Sequence, residues 1–543
     1  MSSYGVELDH FWRAAGRRQL IPLVEREMIS LSYALRSKES WWLKFRTPEI
    51  AARWRAEAIA QARWMKESHV DYVLDELDGF DKLRDERSGA EVSCFDGIWQ
   101  SDRLASADLK TRIMAGATRL ENVPDEEKDW HPRSSGQVLD LVHPSLYPIV
   151  YGRTSAYPEH VTEQEPYRLA EILAPNIPSD EDPWSPFYHI SRKFQWLPTD
   201  FAVSTDARSV RSLGYINNVH PEESRELHIA LEDLIGAFLP LFERVLTESI
   251  LRHQKKQGRT INTYRYDSEY APMPRYEDYG DLDEHENAYY AWYNRQPIEP
   301  PEVANGGYIP GSLEHRETWY SLAGQIVQVI VKLANIHLTP ENPTYAGGSW
   351  HVEGMSSEAI AASGIYYYDE ENVTESRLAF RAMAYPPSMY DQDDERGCME
   401  TWGIQRDDIC IHELGSVTTR QDRAIAFPNT YQHRVSSFEL EDKTKPGHRK
   451  IVALFLVDPG LRRLSTTTVP PQQHDWTTQA IFQNPALKRL SPEIVHYIST
   501  LVEGTMTRKE AEAYRLELMD ERSNFAGKFE ERFSDLAFNM CEH

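Results

Sequence analysis

Hydrophobic and polar positions divide the chain into helical ends and a central region rich in strands. Residues 1–125 predict mostly helix, because the segment 48–64 combines strong helix formers with apolar residues at roughly helical intervals. The segment 222–256 predicts one long amphipathic helix with leucines along one face. From residue 325 onward, dense β-branched residues favour buried strands. These patterns predict an α+β fold.

The same patterns suggest four regions. Residues 1–180 are predicted to be mainly helical, and residues 181–320 to combine strands, a long helix and an acidic segment rich in tyrosine and proline. Residues 321–470 are predicted to form the strand-rich core. Residues 471–543 return to helices, which could buttress the core or form the contact of a homodimer.

Charge and cysteine content exclude several classes of protein. The formal net charge of −26 argues against binding to nucleic acid, because a phosphate backbone needs clustered Lys and Arg. The 4 cysteines show no CxxC spacing, so neither a disulfide framework nor a zinc ribbon is supported. No apolar run approaches the roughly 20 residues of a membrane span, and no signal-peptide pattern is present. We expect a cytoplasmic protein with no membrane partner.

The candidate chemistry lies in the strand-rich region, in the segment 345–354. Residues two apart in a strand face the same side, so His351 and Glu353 could hold one metal ion together. His433, at the end of a later apolar run, supplies a third ligand. Two histidines and one carboxylate form the facial triad of non-haem Fe(II) oxygenases. The sequence therefore predicts an Fe(II) site.

Two other groups of residues have a similar composition but predict structural roles. His69 and Asp71 have the same spacing, yet their segment predicts a helix, where positions two apart diverge by roughly 200°. Asp140 and His143 also suggest a metal site. Because proline ends their run, a packed loop at the edge of the core is the better interpretation.

A cation that opens the last core strand is the candidate for binding a second carboxylate. A dicarboxylate co-substrate that chelates iron through one end needs its other end neutralised, which the planar fork of arginine does with two hydrogen bonds. Arg449 is the predicted residue. Lys450, on the opposite side of the same strand, and Arg434, beside the metal ligand, are the alternatives.

The order of these motifs resembles the Fe(II)/2-oxoglutarate-dependent dioxygenase superfamily. The likeness rests on His351-Val-Glu353, the distal His433, and Arg449 at the head of a strand. It implies Fe(II) as the metal, 2-oxoglutarate as the co-substrate and dioxygen as the oxidant. Together with the run of strands, it predicts a double-stranded β-helix, or jelly roll, wrapped by N-terminal and C-terminal helices.

The tyrosines that follow Ile365 are similar to those of the prolyl-hydroxylase branch of that superfamily. The resemblance implies that one strand tyrosine assists the arginine in binding 2-oxoglutarate. Tyr366 is the position that matches. The spacing from His351 differs by one residue from the pattern of the branch, so Tyr367 and Tyr368 stay open as alternatives.

Nearly the whole chain is similar to a fungal family of unknown function. The likeness is carried by segments of the sequence at 128–132, 138–148, 193–198, 215–221, 334–341 and 448–459. The family also resembles oxygenases of fungal secondary metabolism that act on small amino acids, including oxidative closure of valine to an aziridine. The resemblance implies an aliphatic amino acid as the small-molecule substrate.

Five residues are candidates for lining the substrate pocket. Tyr215 and Asn217 lie in the run 209–219, which we predict to be a strand added to the larger sheet. The other three lie near the predicted ligands, namely Trp350, Ile360 and Arg434.

Two other functions compete with a small-molecule oxygenase. One is an enzyme that hydroxylates or demethylates a side chain of a partner protein. The other is a β-helix that has lost turnover and acts as a binding protein, against which the intact triad and Arg449 argue.

Overall fold

A computed structural model describes the chain over residues 18–158, 169–175, 190–251, 258–313, 316–387, 389–487, 489–534 and 537–540. The parts of the predicted helical region at 1–17, 159–168 and 176–180 therefore lie outside the described residues. Within the described ranges the fold is a mixture of helices and largely antiparallel sheets.

Helices dominate both ends of the described chain. The α-helices are α1 (Leu23–Arg36), α2 (Trp41–Lys44), α3 (Pro48–Gln61), α4 (Glu67–Leu83), α5 (Ala107–Glu121), α6 (Arg225–Leu251), α7 (Leu282–Tyr293), α8 (Glu395–Trp402), α9 (His474–Gln483), α10 (Pro492–Thr500) and α11 (Arg508–Ser534). Proline opens α3, and the Ser106 side chain caps α5 by accepting a hydrogen bond from the backbone N–H of Leu109. In the described ranges, none of these helices has the length and apolar character needed to cross a bilayer.

The long helix predicted over 222–256 is α6. It is described from Arg225 to Leu251 and contains Pro240, while residues 252–256 lie outside the described ranges. Its leucines from Leu227 to Leu246, together with Phe238 and Phe242, are buried in the largest apolar cluster of the described residues. That cluster also contains residues of the central strands, so α6 packs across one face of the larger sheet.

The strands are mostly short outside the central region. They are β1 (Arg18–Gln19), β2 (Glu91–Val92), β3 (Trp99–Ser101), β4 (Val138–Val142), β5 (Ile149–Val150), β6 (Ser155–Ala156), β7 (Ala170–Glu171), β8 (Phe194–Gln195), β9 (Thr199–Val203), β10 (Val210–Ser212), β11 (Arg265–Tyr266), β12 (Ile298–Glu299), β13 (Ile326–Leu338), β14 (Thr344–Tyr345), β15 (Ile360–Glu371), β16 (Ser376–Tyr385), β17 (Ile411–Thr419), β18 (Ala424–Pro428), β19 (Gln432–Val435), β20 (Phe438–Glu439) and β21 (Gly447–Val457).

Two sheets organise the central region. The larger has the order β10-β9-β13-β21-β15-β18-β3-β2, and β4 also pairs with β13. The smaller has the order β1-β16-β17, with β19 also paired to β16. Pairing is antiparallel in both, apart from the parallel pair β1–β16. The described sheets do not close into a barrel.

The predicted strand at 209–219 is much shorter in the structure. Only β10, at Val210–Ser212, is a strand, and it joins the edge of the larger sheet by pairing with β9. The chain then turns, and Asn218 adopts a positive φ of 65°, which a continuous strand does not allow. Tyr215 and Asn217 therefore lie beyond the strand and not on it.

Side chains of the larger sheet alternate between two environments. On β15, Tyr366 and Tyr368 share the apolar cluster of α6, and we call this side the outer face. Ile365 and Tyr367 share a second cluster with Leu378 of the smaller sheet, and we call this side the inner face. The inner face is therefore the one that lies against the smaller sheet.

The contact between α6 and β15 gives a test of this packing. A Cβ atom added at Gly364 would lie 2.7 Å from Phe238 Cε1 and 3.1 Å from Phe242 Cζ, so we expect Gly364→Ala to destabilise the protein by roughly 1–3 kcal/mol. Gly236→Ala on α6 is the matched control, since its Cβ would meet its nearest atom, Val210 Cγ2, at 3.6 Å. Alanine in a helix is favoured by about 0.5–1 kcal/mol over glycine, so this variant should not lose stability. Thermal unfolding midpoints compare the two, and equal losses in both would contradict the packing.

Candidate metal centre

Three predicted ligands meet in the structure. The Glu353 Oε1 atom lies 3.6 Å from His351 Nε2 and 3.4 Å from His433 Nε2. One ligand atom from each residue lies within 4.8 Å of the other two. His433 thus joins His351 and Glu353, which lie about eighty residues earlier, in a candidate metal-binding triad with the two-histidine and one-carboxylate donor set that suits Fe(II).

The backbone places the two histidines side by side. His351 and His433 form an isolated antiparallel bridge, with N–H···O distances of 3.2 Å and 2.9 Å between their main chains, and their ring centroids are 4.3 Å apart. Gly347 makes this approach possible, because it has a φ of 92° and a Cβ there would lie 2.8 Å from the Val435 carbonyl oxygen. Glu353 lies in a bend after the bridge. The ligands therefore converge through a turn and not through the strand alternation expected from the sequence.

Asn429 holds the turn that carries Glu353. Its side-chain oxygen accepts a hydrogen bond from the Glu353 backbone N–H at 2.9 Å, and its amide donates to the Glu353 carbonyl at 2.8 Å. The Ser363 hydroxyl also donates to Asn429, at 3.3 Å. Asn429 is buried and directly follows β18. Sequence analysis did not select it, although a polar residue between a buried strand and the distal histidine was the available signal.

Electrostatics favour the protonation state that a metal needs at two of the three candidate ligands, Glu353 and His433. Burial raises the pKa of the Glu353 carboxyl, but its contacts with His351 and His433 outweigh burial and hold that pKa well below its usual range. Burial and the charge of His351 lower the pKa of His433. For His351, contact with Glu353 outweighs burial and raises the pKa. Glu353 is therefore ionised and His433 neutral at neutral pH, as ligands must be.

Arg449 and Lys450 lie on opposite faces of β21, as expected from strand alternation. Arg449 is 1% exposed and donates to Glu370 at 2.8 Å and to the Ser376 hydroxyl. Lys450 instead lies on the outer face and donates to the Glu121 carboxylate of α5 at 3.1 Å. A carboxylate that binds Arg449 would therefore have to share the guanidinium with Glu370.

The structure corrects the choice of Tyr366. That side chain lies on the outer face with α6, and so does Tyr368, whose hydroxyl donates to Asn335 at 3.1 Å. Tyr367 lies on the inner face. Burial raises the pKa of Tyr367 while the nearby charge of Arg449 acts in the opposite direction. Of the three tyrosines, Tyr367 is the one that shares its side of the sheet with Arg449.

Trp350 and Arg434 face away from the triad. The guanidinium carbons of Arg381 and Arg434 each lie 4.6 Å from the centre of the Trp350 ring. Arg434 is exposed, whereas its neighbour His433 is buried, because adjacent residues of β19 point to opposite sides. Neither residue is placed to line a pocket at the metal.

The three remaining pocket candidates divide between two locations. The Tyr215 hydroxyl donates to the Pro470 carbonyl at 3.1 Å, and the Asn217 amide donates to the Tyr147 carbonyl at 3.1 Å. Both residues are buried in contacts between loops, so the structure gives them a packing role. Ile360 opens β15 on the inner face, and its Cδ1 atom would lie 2.9 Å from a Cβ placed on Gly354. Ile360 therefore packs beside the turn of Glu353.

A second cluster of possible ligands contains His131, Asp140 and His143. His131 Nδ1 lies 2.7 Å from Asp140 Oδ2, and Arg515 of α11 donates to the same carboxylate. The Asp140 carboxylate is fully buried and already paired with a cation, and the charge of Lys332 acts on it as well. A metal here would lie beside two positive side chains, so the cluster fits an ion-pair network better than a metal site.

His69 and Asp71, which have the same spacing as His351 and Glu353, lie on a helix, as predicted. That helix is α4, where His69 Nδ1 accepts a hydrogen bond from the Lys66 backbone N–H at 2.9 Å. Asp71 points elsewhere and pairs with Arg55 at 2.6 Å. The helical geometry therefore separates the two side chains.

Likeness to solved structures is weak. The chain is 10% identical to the "Fe(II)/(alpha)ketoglutarate-dependent dioxygenase TqaL", with 50% of this chain and 70% of that chain covered and a TM-score of 0.21. It is 9% identical to AviO1 from Streptomyces viridochromogenes Tue57, with 72% and 97% covered and a TM-score of 0.24. Scores this low carry no argument about fold or activity.

Family membership is shown at the level of sequence. No curated protein matches the chain significantly. The family described as "Protein of unknown function (DUF4246)" matches residues 67–480, and its N-terminal domain matches residues 7–57. Because these matches cover most of the sequence, the chain belongs to the DUF4246 family.

Proposed function

We propose that this protein is an Fe(II)/2-oxoglutarate-dependent oxygenase that oxidises a small aliphatic amino acid, such as valine, by hydroxylation or closure to an aziridine. The observation that carries the proposal is the convergence of His351, Glu353 and His433 within 4.8 Å. Three protein ligands of this kind leave coordination positions free for other ligands.

The course of the chain supports a double-stranded β-helix around this site. Strands β13, β15, β18 and β21 lie in the larger sheet, whereas β16, β17 and β19 lie in the smaller. Strands β14 and β20 pair with each other alongside. The chain thus passes repeatedly between two facing sets of antiparallel strands, as in a jelly roll. This arrangement supports the expected core although the sheets do not close.

The residues around the triad fit the roles that such an enzyme requires. Bound Fe(II) would supply the site at which 2-oxoglutarate and dioxygen react to oxidise a substrate C–H bond. His351, Glu353 and His433 would hold the metal, and Asn429 fixes the turn of Glu353. The Phe427 ring lies 4.8 Å from the His433 ring and excludes water from that side.

The inner face also offers a place for the distal carboxylate of 2-oxoglutarate. Arg449 is buried there and stacks at 4.3 Å on the ring of Phe438. Its guanidinium would bind the carboxylate, with Tyr367 beside it on the same face. Ser376, which already accepts a hydrogen bond from Arg449, keeps the guanidinium oriented.

The first test concerns the metal ligands. We expect His351→Ala, Glu353→Ala and His433→Ala each to lose bound iron and 2-oxoglutarate turnover, with the fold retained because apolar burial dominates stability. Iron content per protein and succinate release are the measurements, and thermal unfolding checks the fold. His285→Ala on α7 is the control for loss of a histidine. Full iron content in a ligand variant would show that the ligands are wrong.

The second test concerns the co-substrate. Arg449→Ala should raise the 2-oxoglutarate concentration needed for half-maximal turnover steeply, since losing a buried charged partner costs roughly 3–5 kcal/mol. Lys450→Ala, on the outer face, should have a much smaller effect. Tyr367→Phe should weaken 2-oxoglutarate binding more than Tyr366→Phe. A larger effect of Lys450→Ala than of Arg449→Ala, or of Tyr366→Phe than of Tyr367→Phe, would contradict the assignment of these residues to the inner and outer faces.

The third test concerns the substrate. The iron-loaded protein is incubated with 2-oxoglutarate, oxygen and each proteinogenic amino acid, and succinate and product mass are followed. We expect an aliphatic amino acid to stimulate succinate release and to gain oxygen or lose two hydrogens. Stimulation by a peptide or larger metabolite instead would favour the protein-directed alternative. An iron-loaded protein that releases no succinate would favour the binding protein.

A further inference from the structure

Lys332 is an unusual residue for its position. It lies in the middle of β13, and its neighbours in the sequence, Val331 and Leu333, are buried and apolar. Ile330, two residues earlier, belongs to the inner cluster, so Lys332 also points to the inner face. Its side chain has no hydrogen bond or ion pair with any residue in the described parts of the chain. The charge of Lys332 acts on the Asp140 carboxylate, but that carboxylate is already bound to Arg515 and His131. The donors of the partly buried ammonium are therefore not satisfied by any described residue, and an anion would satisfy them.

Arg522 approaches the site from α11. Its Nη2 atom donates to the Glu358 carboxylate at 2.7 Å, and its guanidinium carbon lies 3.8 Å from the centre of the Trp196 ring. Its Nη1 atom is buried and has no hydrogen-bond partner among the described residues. Glu358 therefore satisfies only part of this guanidinium, which leaves donors for a second anion.

Both cations are coupled electrostatically to residues of the triad. The Lys332 ammonium acts electrostatically on His351, and the Glu353 carboxylate acts on Arg522. Hydrogen bonds place Arg522 beside the turn of Glu353, because Glu358, which accepts from Arg522 at 2.7 Å, also accepts from the Met355 backbone N–H at 2.6 Å.

An aromatic wall connects Lys332 with Arg522. The Trp196 ring beneath the guanidinium stacks on Phe455, with centroids 5.7 Å apart and an interplanar angle of 21°. Phe455 on β21 pairs in register with Ile330, two residues before Lys332 on β13. The same wall is fixed from the turn after β4, because the Trp196 indole donates to the Ser145 hydroxyl at 3.0 Å. The wall therefore runs from Arg522 to the part of β13 that carries Lys332.

This cationic position is distinct from that of Arg449. On β13, the residue that pairs with Arg449 is Ile336. Lys332 is four residues away along the strand, which corresponds to about 14 Å at roughly 3.4 Å per residue. The inner face thus carries two separate cationic positions, of which Arg449 is assigned to the co-substrate.

We propose that Lys332 and Arg522 form a subsite that binds the carboxylate of the substrate, with Trp196 as its apolar wall. The inference rests on the proposed function and deepens it, because it requires the substrate to be a small organic anion. A free amino acid satisfies this requirement, whereas a residue within a peptide chain has no α-carboxylate to offer.

The test uses the full-length protein loaded with Fe(II) under anaerobic conditions and saturated with 2-oxoglutarate. Binding of L-valine, L-leucine and L-isoleucine, and of the corresponding amides, is measured by calorimetry. We expect the acids to bind and the amides to bind far more weakly. Lys332→Met and Arg522→Gln should each weaken binding of the acids roughly ten- to a hundred-fold, the usual effect of losing a hydrogen bond to a charged group.

Three controls separate this role from a structural one. Lys450→Met removes the same charge from the outer face of the neighbouring strand and should leave amino-acid binding unchanged. Lys332→Arg retains the charge and should restore most of the affinity lost in Lys332→Met. Binding of 2-oxoglutarate alone, measured for each variant before the amino acid is added, should be unaltered.

The proposal is overturned if the unaltered protein binds iron and 2-oxoglutarate but none of the acids, or binds the amides equally well. It is also overturned if Lys332→Met and Arg522→Gln bind the acids normally, or lose 2-oxoglutarate binding instead. Failure of the unaltered protein to bind iron would reject the proposed oxygenase itself, which makes the two failures distinguishable.

Discussion

Strand alternation on the three adjacent strands β13, β21 and β15 is the constraint on which both the core and the candidate site depend. Strand β21 pairs with β13 on one side and with β15 on the other, so its register is fixed twice. Residues that point outward pack against α6, and residues that point inward include Arg449. A shift of one residue would exchange Arg449 with Lys450, and it would turn Leu454 and Leu456 away from the apolar cluster of α6. The apolar packing of the outer face therefore determines which charges reach the inner face.

Much of the fold followed from local patterns in the sequence. The β-branched run at β13 and the apolar segment of α6 are long enough for their periodicity to identify them. The three candidate ligands could be selected from the sequence because two of them are close in sequence and the third follows a buried strand. The turn that brings them together could not be predicted, since it depends on the bridge between His351 and His433 and on the contacts of Asn429.

The predicted site residues that differ from the structure are those whose side of the sheet had to be chosen without knowing how the strands pair. Tyr366 and Tyr367 differ by one position, and the pairing of β15 with β21 shifts register between Tyr367 and Asp369, so spacing alone could not select the inner residue. Trp350 was expected to line the pocket because it precedes His351. Its ring lies instead between two arginines on the other side of the smaller sheet. Lys332 and Arg522 are far apart in sequence, and only the tertiary structure relates them.

The C-terminal helix connects these charges to the rest of the fold. Arg508, Arg515 and Arg522 are spaced seven residues apart on α11, which places them along one side of the helix. Arg508 and Arg515 pair with Asp129, at 3.1 Å and 2.6 Å, and Arg515 also pairs with the buried Asp140. Asp129 and Asp140 neutralise the first two arginines, so these ion pairs dock the helix beside β4. Arg522 continues the same row to the turn of the triad, where Glu358 satisfies only part of its guanidinium. The pairs that dock α11 thus also determine where Arg522 meets the candidate metal centre.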